Sequence, residues 1–280
     1  MKRLQDTFTL TNGVKIPCVG FGTYKMSSGE NTVQAIENAL ACGYRHIDTA
    51  AFYENEHDVG EALRRSEIKR EAVFVTSKLW RSDRGYHNAL RAFERSLNEL
   101  GLEYMDLYLI HWPAPKKDDT AWEKENLDTW QALIELYNAK KVRAIGVSNF
   151  LEHHLSAIMQ SPVLPMVNQI QIHPGWWQAP TVEFCQKNGI LIEAWSPLGR
   201  GAVLNEPTLL ALSAKYAKTT AQLCVRWCLQ KGILPLPKTV SQSRMQENAS
   251  VFDFVITPDD MQKMDEIQLV NFHAHHPDRL

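Results

Sequence analysis

The chain of 280 residues has no excess of charge of either sign: 30 Lys and Arg stand against 32 Asp and Glu, a net charge of −2. Proteins that bind nucleic acid carry a basic footprint, and none is present, so no nucleic-acid partner is expected. No apolar run approaches the roughly 20 residues that span a bilayer, so no membrane partner is expected either. The opening residues Met1-Lys2-Arg3-Leu4-Gln5-Asp6 lack the apolar core and cleavage site of a signal peptide, and a cytoplasmic location is the expectation. Cysteine is sparse: Cys18, Cys42, Cys185, Cys224 and Cys228 are odd in number and form no CxxC, which fits reduced thiols. Cys224 and Cys228 lie one helical turn apart, but Leu223, Val225, Trp227 and Leu229 around them read as core packing. HExxH is absent, and the tail His273-Ala274-His275-His276 has no neighbouring Cys or paired carboxylates, so it reads as solvated and no metal is expected. With only 14 Gly and 13 Pro, 22% charged and 44% hydrophobic residues, the chain is neither collagenous, low-complexity nor disordered.

What is present is alternation. Short apolar runs switch repeatedly with longer segments of helical period. The runs are Cys18–Gly22, His46–Thr49, Val73–Lys78, Met105–His111, Ala144–Ser148, Val167–Ile172, Leu191–Trp195 and Ile233–Leu236. Helical patterns lie between them, such as Thr32–Leu40 and Asn88–Leu97, and Gly43, Gly101 and Gly189 sit where helix C-caps would fall. Near-continuous apolar strands alternating with helices predict a parallel sheet covered by helices. Eight such units in a chain of this length match a (β/α)₈ TIM barrel, an α/β fold, here as a single domain over residues 1–280. Ahead of it, Asn12-Gly13 between two short alternating runs predicts an N-terminal β-hairpin cap. The competing open nucleotide-binding sheet would need GxGxxG, whereas Gly20-Phe21-Gly22 continues as Thr23-Tyr24-Lys25.

In barrels of this kind the chemistry sits where strands end. Asp48 stands near the end of the second run and is followed by Tyr53; Lys78 ends the third, with Trp80 just beyond it, and His111 ends the fourth, with Trp112 next. A tyrosine, with a pKa of about 10, is a poor acid near neutrality unless its phenolate is stabilised. The ammonium of Lys78 could do that, Asp48 could hold the lysine, and His111 could donate a hydrogen bond to a substrate oxygen. Together they make a proton donor for a developing alkoxide. A barrel lyase forming a Schiff base on Lys78 is the rival enzyme, disfavoured by the phenol and carboxylate beside that lysine. A regulatory nucleotide-binding protein without turnover is the rival outside catalysis.

Several motifs in order resemble the aldo-keto reductase family along nearly the whole chain: Gly43-Tyr44-Arg45-His46-Ile47-Asp48-Thr49-Ala50 with Tyr53 and Asn55-Glu56, Thr76-Ser77-Lys78-Leu79-Trp80, Asp106–Pro113 and Ile145–Phe150. The resemblance is to bacterial members that reduce diketo-gluconate, methylglyoxal and other small carbonyls. It implies an NADPH-dependent oxidoreductase acting on a small-molecule carbonyl, with Tyr53 as general acid and Asp48, Lys78 and His111 completing a catalytic tetrad. It also implies a cofactor site. Ser148, Asn149 and Gln169 would hold the nicotinamide carboxamide, and Trp195, where many members have Tyr, would stack on the ring. Ser196, Pro197, Leu198 and Gly199 would wrap the pyrophosphate, with Gly22, Thr23, Tyr24 and Asp48 near the nicotinamide end. Lys238, Thr239, Val240, Arg244, Glu247 and Asn248 would clamp the adenosine 2′-phosphate. Tyr24, Trp80, His111 and Trp112 would wall the substrate pocket. A monomer is expected.

Overall fold

The fold is described from a computed structural model over residues 1–114, 121–269 and 276–279. A hairpin of β1 (Thr7–Thr9) and β2 (Lys15–Pro17) comes first. Eight parallel strands follow: β3 (Phe21–Gly22), β4 (His46–Asp48), β5 (Phe74–Leu79), β6 (Met105–Ile110), β7 (Val142–Ser148), β8 (Val167–Gln171), β9 (Leu191–Trp195) and β10 (Leu234–Leu236). Each pairs with its neighbour in chain order. The ends of the sheet meet through Gly20 N–H donating to Pro235 O at 3.0 Å and Gly22 N–H to Pro237 O at 3.1 Å, which closes the barrel. Glycine permits that approach: a Cβ on Gly20 would stand 2.4 Å from Leu236 Cδ2 and 2.7 Å from His46 Nδ1.

The helices are α1 (Glu30–Ala41), α2 (Glu56–Arg65), α3 (Tyr86–Leu100), α4 (Ala121–Asn138) and α5 (Glu152–Ile158), then α6 (Ala179–Lys187), α7 (Pro207–Tyr216), α8 (Thr220–Gln230), α9 (Gln242–Ala249) and α10 (Pro258–Asp265). Helix α3 shows why the pattern reads as it does. Ala89, Ala92, Phe93, Ser96, Leu97 and Leu100 are its buried residues, spaced as one stripe of a 3.6-residue helix. It ends where Gly101 turns left-handed at φ 62° and Leu102 N–H donates to Leu97 O. Every residue of β5 and β6 is buried, as parallel strands covered on both faces require. Cys224 and Cys228 are buried free thiols in α8, packed in the core as expected.

The two ends of the barrel differ in kind. At the bottom, Asp106 at the start of β6 accepts from Arg70, Arg143 and the Val75 N–H, and Asn12 of the hairpin donates to Arg143 O at 2.9 Å. Those bonds are structural. At the top, the ends of β4, β5, β7, β8 and β9 bring polar side chains to one cleft. No helix among the described residues is long and apolar enough to cross a membrane.

Packing of α2 on α3 depends on Gly60, where a Cβ would lie 2.1 Å from Leu100 O and 2.7 Å from its carbonyl carbon. Backbone cannot swing aside as a side chain does. Gly60→Ala should therefore destabilise the fold by about 1–3 kcal/mol, read as a lower denaturant midpoint. An unchanged midpoint would contradict this packing.

Candidate active site

The site is organised around Lys78, which leaves the end of β5 and is completely buried. An ammonium has three N–H donors. Here they reach Asp48 Oδ1 at 2.7 Å, Thr49 O at 2.8 Å and Tyr53 OH at 3.3 Å. Asp48 ends β4, paired beside β5 in the register Asp48↔Thr76, so the carboxylate and the lysine share the top of adjacent strands. Tyr53 comes from the short 3₁₀ turn Ala51–Tyr53. That turn is held by Asn55, fully buried, whose amide accepts from Thr49 Oγ1 at 2.8 Å and donates to Thr23 O and Met26 O at 3.1 Å each. Asn55 thus clamps the loop carrying Tyr24 against the turn carrying Tyr53, and the two rings lie 5.0 Å apart.

Burial decides the charge states. It pushes the Tyr53 phenol up to about 12, and the nearby Lys78 cation offsets only part of that rise. The sequence led us to expect a phenol eased toward its anion; the structure instead holds it protonated. For Lys78 burial opposes the charge, but Asp48 and Tyr53 together outweigh it and leave the ammonium above its ordinary value. His111 is driven well below the usual imidazole range by burial and then by Lys78, so it is neutral and carries a single N–H.

Beside this cluster the cleft continues over β7, β8 and β9. Ser148 Oγ donates to Gln169 O at 2.7 Å, and Asn149 Nδ2 to His111 O at 2.9 Å. The indole N–H of Trp195 donates to Asn149 Oδ1 at 2.9 Å, which fixes the indole at the cleft wall. Gln169 Nε2 donates to Asp48 Oδ2 at 2.8 Å and to Glu193 Oε2 at 2.7 Å. Past Trp195 the chain turns through left-handed Ser196, Gly199, Arg200 and Gly201 toward a far end where Lys238, Thr239, Arg244, Glu247 and Asn248 meet the start of α8. The whole cleft is about 860 Å³.

Most of the residues singled out from sequence line this one cleft. Asp48, Tyr53, His111, Tyr24, Trp80 and Trp112 stand at one end, and Lys78 lies just beneath it. Besides Lys78, three lie off the lining. Thr23 is fully buried below it, its hydroxyl donating to Asp48 O at 3.0 Å; Gly199 sits behind the turn, against Val203; Val240 is 60% exposed to solvent. Lys25, Phe52 and Arg200 line the cleft without having been singled out. Phe52 stacks on Trp80 with centroids 3.8 Å apart, and its place beside Tyr53 was the available signal. Glu193 was missed as well, although a carboxyl inside an otherwise apolar strand was visible in the sequence. His273 and His275 of the tail lie outside the described residues. Asp278, farther along, brings Oδ1 to 3.0 Å from Nε2 of both His153 and His154. His154 Nδ1 accepts from Leu151 N–H, which leaves its proton on Nε2 and no lone pair there for a metal.

The sequence profile of the Aldo/keto reductase family matches residues 18–269, and the chain belongs to that family. Membership makes it an oxidoreductase of the kind that acts on carbonyl groups. It is 47% identical over 263 residues to the 9,11-endoperoxide prostaglandin H2 reductase of Trypanosoma cruzi, covering 92% of this chain and 90% of that one. To the glyoxal reductase of Bacillus subtilis it is 43% identical, covering 99% and 98%. The Bombyx mori aldo-keto reductase solved in complex with NADP superposes with a TM-score of 0.85 at 36% identity, covering 93% of this chain and 92% of that one.

Burial, then the nearby Asp48, pushes the Glu193 carboxyl up to about 8 from 4.5. The folded chain thus holds this proton more tightly than the unfolded chain does. That contribution to stability is fully present below the unfolded value and is lost as pH rises through about 8. Glu193→Gln, which cannot titrate, should therefore gain stability on the unaltered protein between about pH 5 and about pH 9. Denaturant unfolding of both proteins across that window measures it, and a constant difference would contradict the assignment.

Proposed function

We propose that the chain, a single barrel domain over residues 1–280, is an NADPH-dependent reductase of aldehydes and ketones with Tyr53 as the general acid. The observation that carries this reading is the phenol held at 3.3 Å from a buried ammonium that Asp48 in turn fixes. The residues fit the cofactor. Among the described residues Lys25, Arg200, Lys238 and Arg244 line the cleft with no carboxylate at ion-pair distance, and partial burial with the nearby Lys25 charge lowers the Lys238 ammonium. Cations left uncompensated in one cleft suit the phosphates of a dinucleotide. Lys238 and Arg244, with Thr239 and Asn248, would take the 2′-phosphate, and Glu247 lines the same end as an acceptor. Ser196, Pro197 and Leu198 would lie along the pyrophosphate, and Ser148, Asn149 and Gln169 would hold the carboxamide against Trp195. The Bombyx mori relative bound to NADP supports the choice.

NADPH, when bound, supplies a hydride to the carbonyl carbon. The chain supplies the rest. Neutral His111 offers its N–H to the carbonyl oxygen and sets its angle beside Tyr53. Tyr53 gives its proton to that oxygen as negative charge develops there, and the resulting phenolate is met by the Lys78 ammonium at hydrogen-bond distance. Asp48 keeps the ammonium charged and aimed. Solvent then restores the phenol proton. The rings of Tyr24, Phe52, Trp80 and Trp112 wall the substrate end, and apolar walls discriminate weakly among small carbonyls, dicarbonyls and keto-sugar acids. The glyoxal reductase relative supports dicarbonyls among them. We keep a cytoplasmic monomer as the active form: among the described residues one chain furnishes the site, so no second copy is needed to complete it.

Loss of NADPH absorbance with a panel of aldehydes, dicarbonyls and keto-sugar acids tests the reading. Turnover should appear with several of them. Tyr53→Phe removes the proton but keeps the ring, so turnover should fall by about 10²–10⁴-fold with NADPH binding near normal. Turnover by Tyr53→Phe at the unaltered rate would overturn the tyrosine acid.

A further inference from the structure

Glu193 takes no part in the chemistry above, yet it is wholly buried at the barrel axis side of β9, paired across the sheet with Gln169 in the register Gln169↔Glu193. Its Oε2 accepts from Gln169 Nε2 at 2.7 Å, while its Oε1 is buried without a partner among the described residues. A carboxyl in that position lowers stability relative to an apolar side chain of the same size, because its desolvation is not compensated. It is therefore poorly explained as packing.

The hydrogen count at Gln169 explains it. A side-chain amide has two N–H donors and one oxygen. Both donors are committed, one to Asp48 Oδ2 and one to Glu193 Oε2. Turning the amide over would set its oxygen against Asp48 Oδ2, itself an acceptor on a carboxylate ion-paired with Lys78, and lose that bond. With Glu193 removed, a single bond to Asp48 remains, and the amide can tilt about it. We infer that Glu193 is a positioning residue that locks the Gln169 amide, so that its oxygen faces the cleft as the acceptor for the cofactor's carboxamide N–H₂. The same bond couples Glu193 through Gln169 to Asp48 and hence to Lys78. The inference rests on the proposed cofactor reading, since the carboxamide is what Gln169 would hold.

The test uses equilibrium binding, not turnover. NADP⁺ reaches both ends of the cleft, whereas adenosine 2′,5′-bisphosphate has no nicotinamide and reaches only the Lys238 and Arg244 end. Glu193→Leu should weaken NADP⁺ about tenfold, the order of one positioned hydrogen bond, and leave adenosine 2′,5′-bisphosphate unchanged. Glu193→Gln keeps an acceptor oxygen at the same reach and should restore NADP⁺ binding to within about twofold of the unaltered protein. If Glu193→Leu does not fold, Glu193→Asp carries the test, because it keeps the carboxyl but withdraws it by a methylene and should show the same selective loss. A uniform loss for both ligands, or NADP⁺ binding by Glu193→Leu and Glu193→Asp equal to that of the unaltered protein, would overturn the positioning role while leaving the reductase reading intact. Failure of the unaltered protein to bind NADP⁺ at all would overturn both.

Discussion

A buried ammonium must be surrounded by acceptors, and that requirement shapes the whole upper end of this barrel. Lys78 has no contact with water and three acceptors, drawn from a strand end, a loop carbonyl and a 3₁₀ turn. An uncompensated charge at this depth would cost several kcal/mol, so Asp48, Thr49 and Tyr53 are not free to move independently of it. Asp48 spends its second oxygen on Gln169, which carries the constraint from β4 and β5 across the barrel to β8 and, through Glu193, to β9. Asn55 carries it outward, tying the Thr23–Met26 loop to the same turn. The resulting geometry is set by charge compensation as much as by apolar packing.

The dry environment acts on every ionisable group around the lysine. Tyr53 and Glu193 are pushed upward and His111 downward, each chiefly by burial. The outcome is a cluster in which phenol, imidazole and one carboxyl are neutral and the net charge of Lys78 with Asp48 is zero. A proton donor needs its proton before the reaction starts, and burial guarantees that. Stabilisation of the phenolate by Lys78 then acts where it is useful, as charge leaves the substrate oxygen and arrives on Tyr53.

Much of this was legible in the sequence. The eight apolar runs stood out because parallel strands buried on both faces are mostly apolar, and the polar residues at their ends stood out against them; the polar mid-strand pair Gln169 and Glu193 did not, because only the fold shows that they bond to each other. Most strand limits shifted by no more than two residues; β3 lost three, shrinking to Phe21–Gly22, because Gly20 makes its bond to Pro235 outside the regular ladder. What the sequence could not show was direction in loops. Thr23 and Tyr24 are neighbours, yet one lies beneath the cleft and the other lines it; Val240 follows two lining residues and points to solvent. Lys25 and Arg200 reach the cleft from left-handed turns that no periodicity announces. The sign of the Tyr53 shift was also hidden, since proximity of Lys78 could be read from motifs but the depth of burial that outweighs it could not.

The central claim is that the paired ammonium of Lys78 sustains the acid function of Tyr53. Lys78→Met tests it most directly, by NADPH-dependent reduction of a dicarbonyl measured beside NADPH affinity. The variant keeps the volume of the side chain and removes its charge, leaving Asp48 held by Gln169. We expect turnover to fall by about 10²-fold or more while NADPH affinity changes only a few-fold, since the cofactor's phosphates meet cations elsewhere in the cleft. Turnover by Lys78→Met at the rate of the unaltered protein would contradict the account.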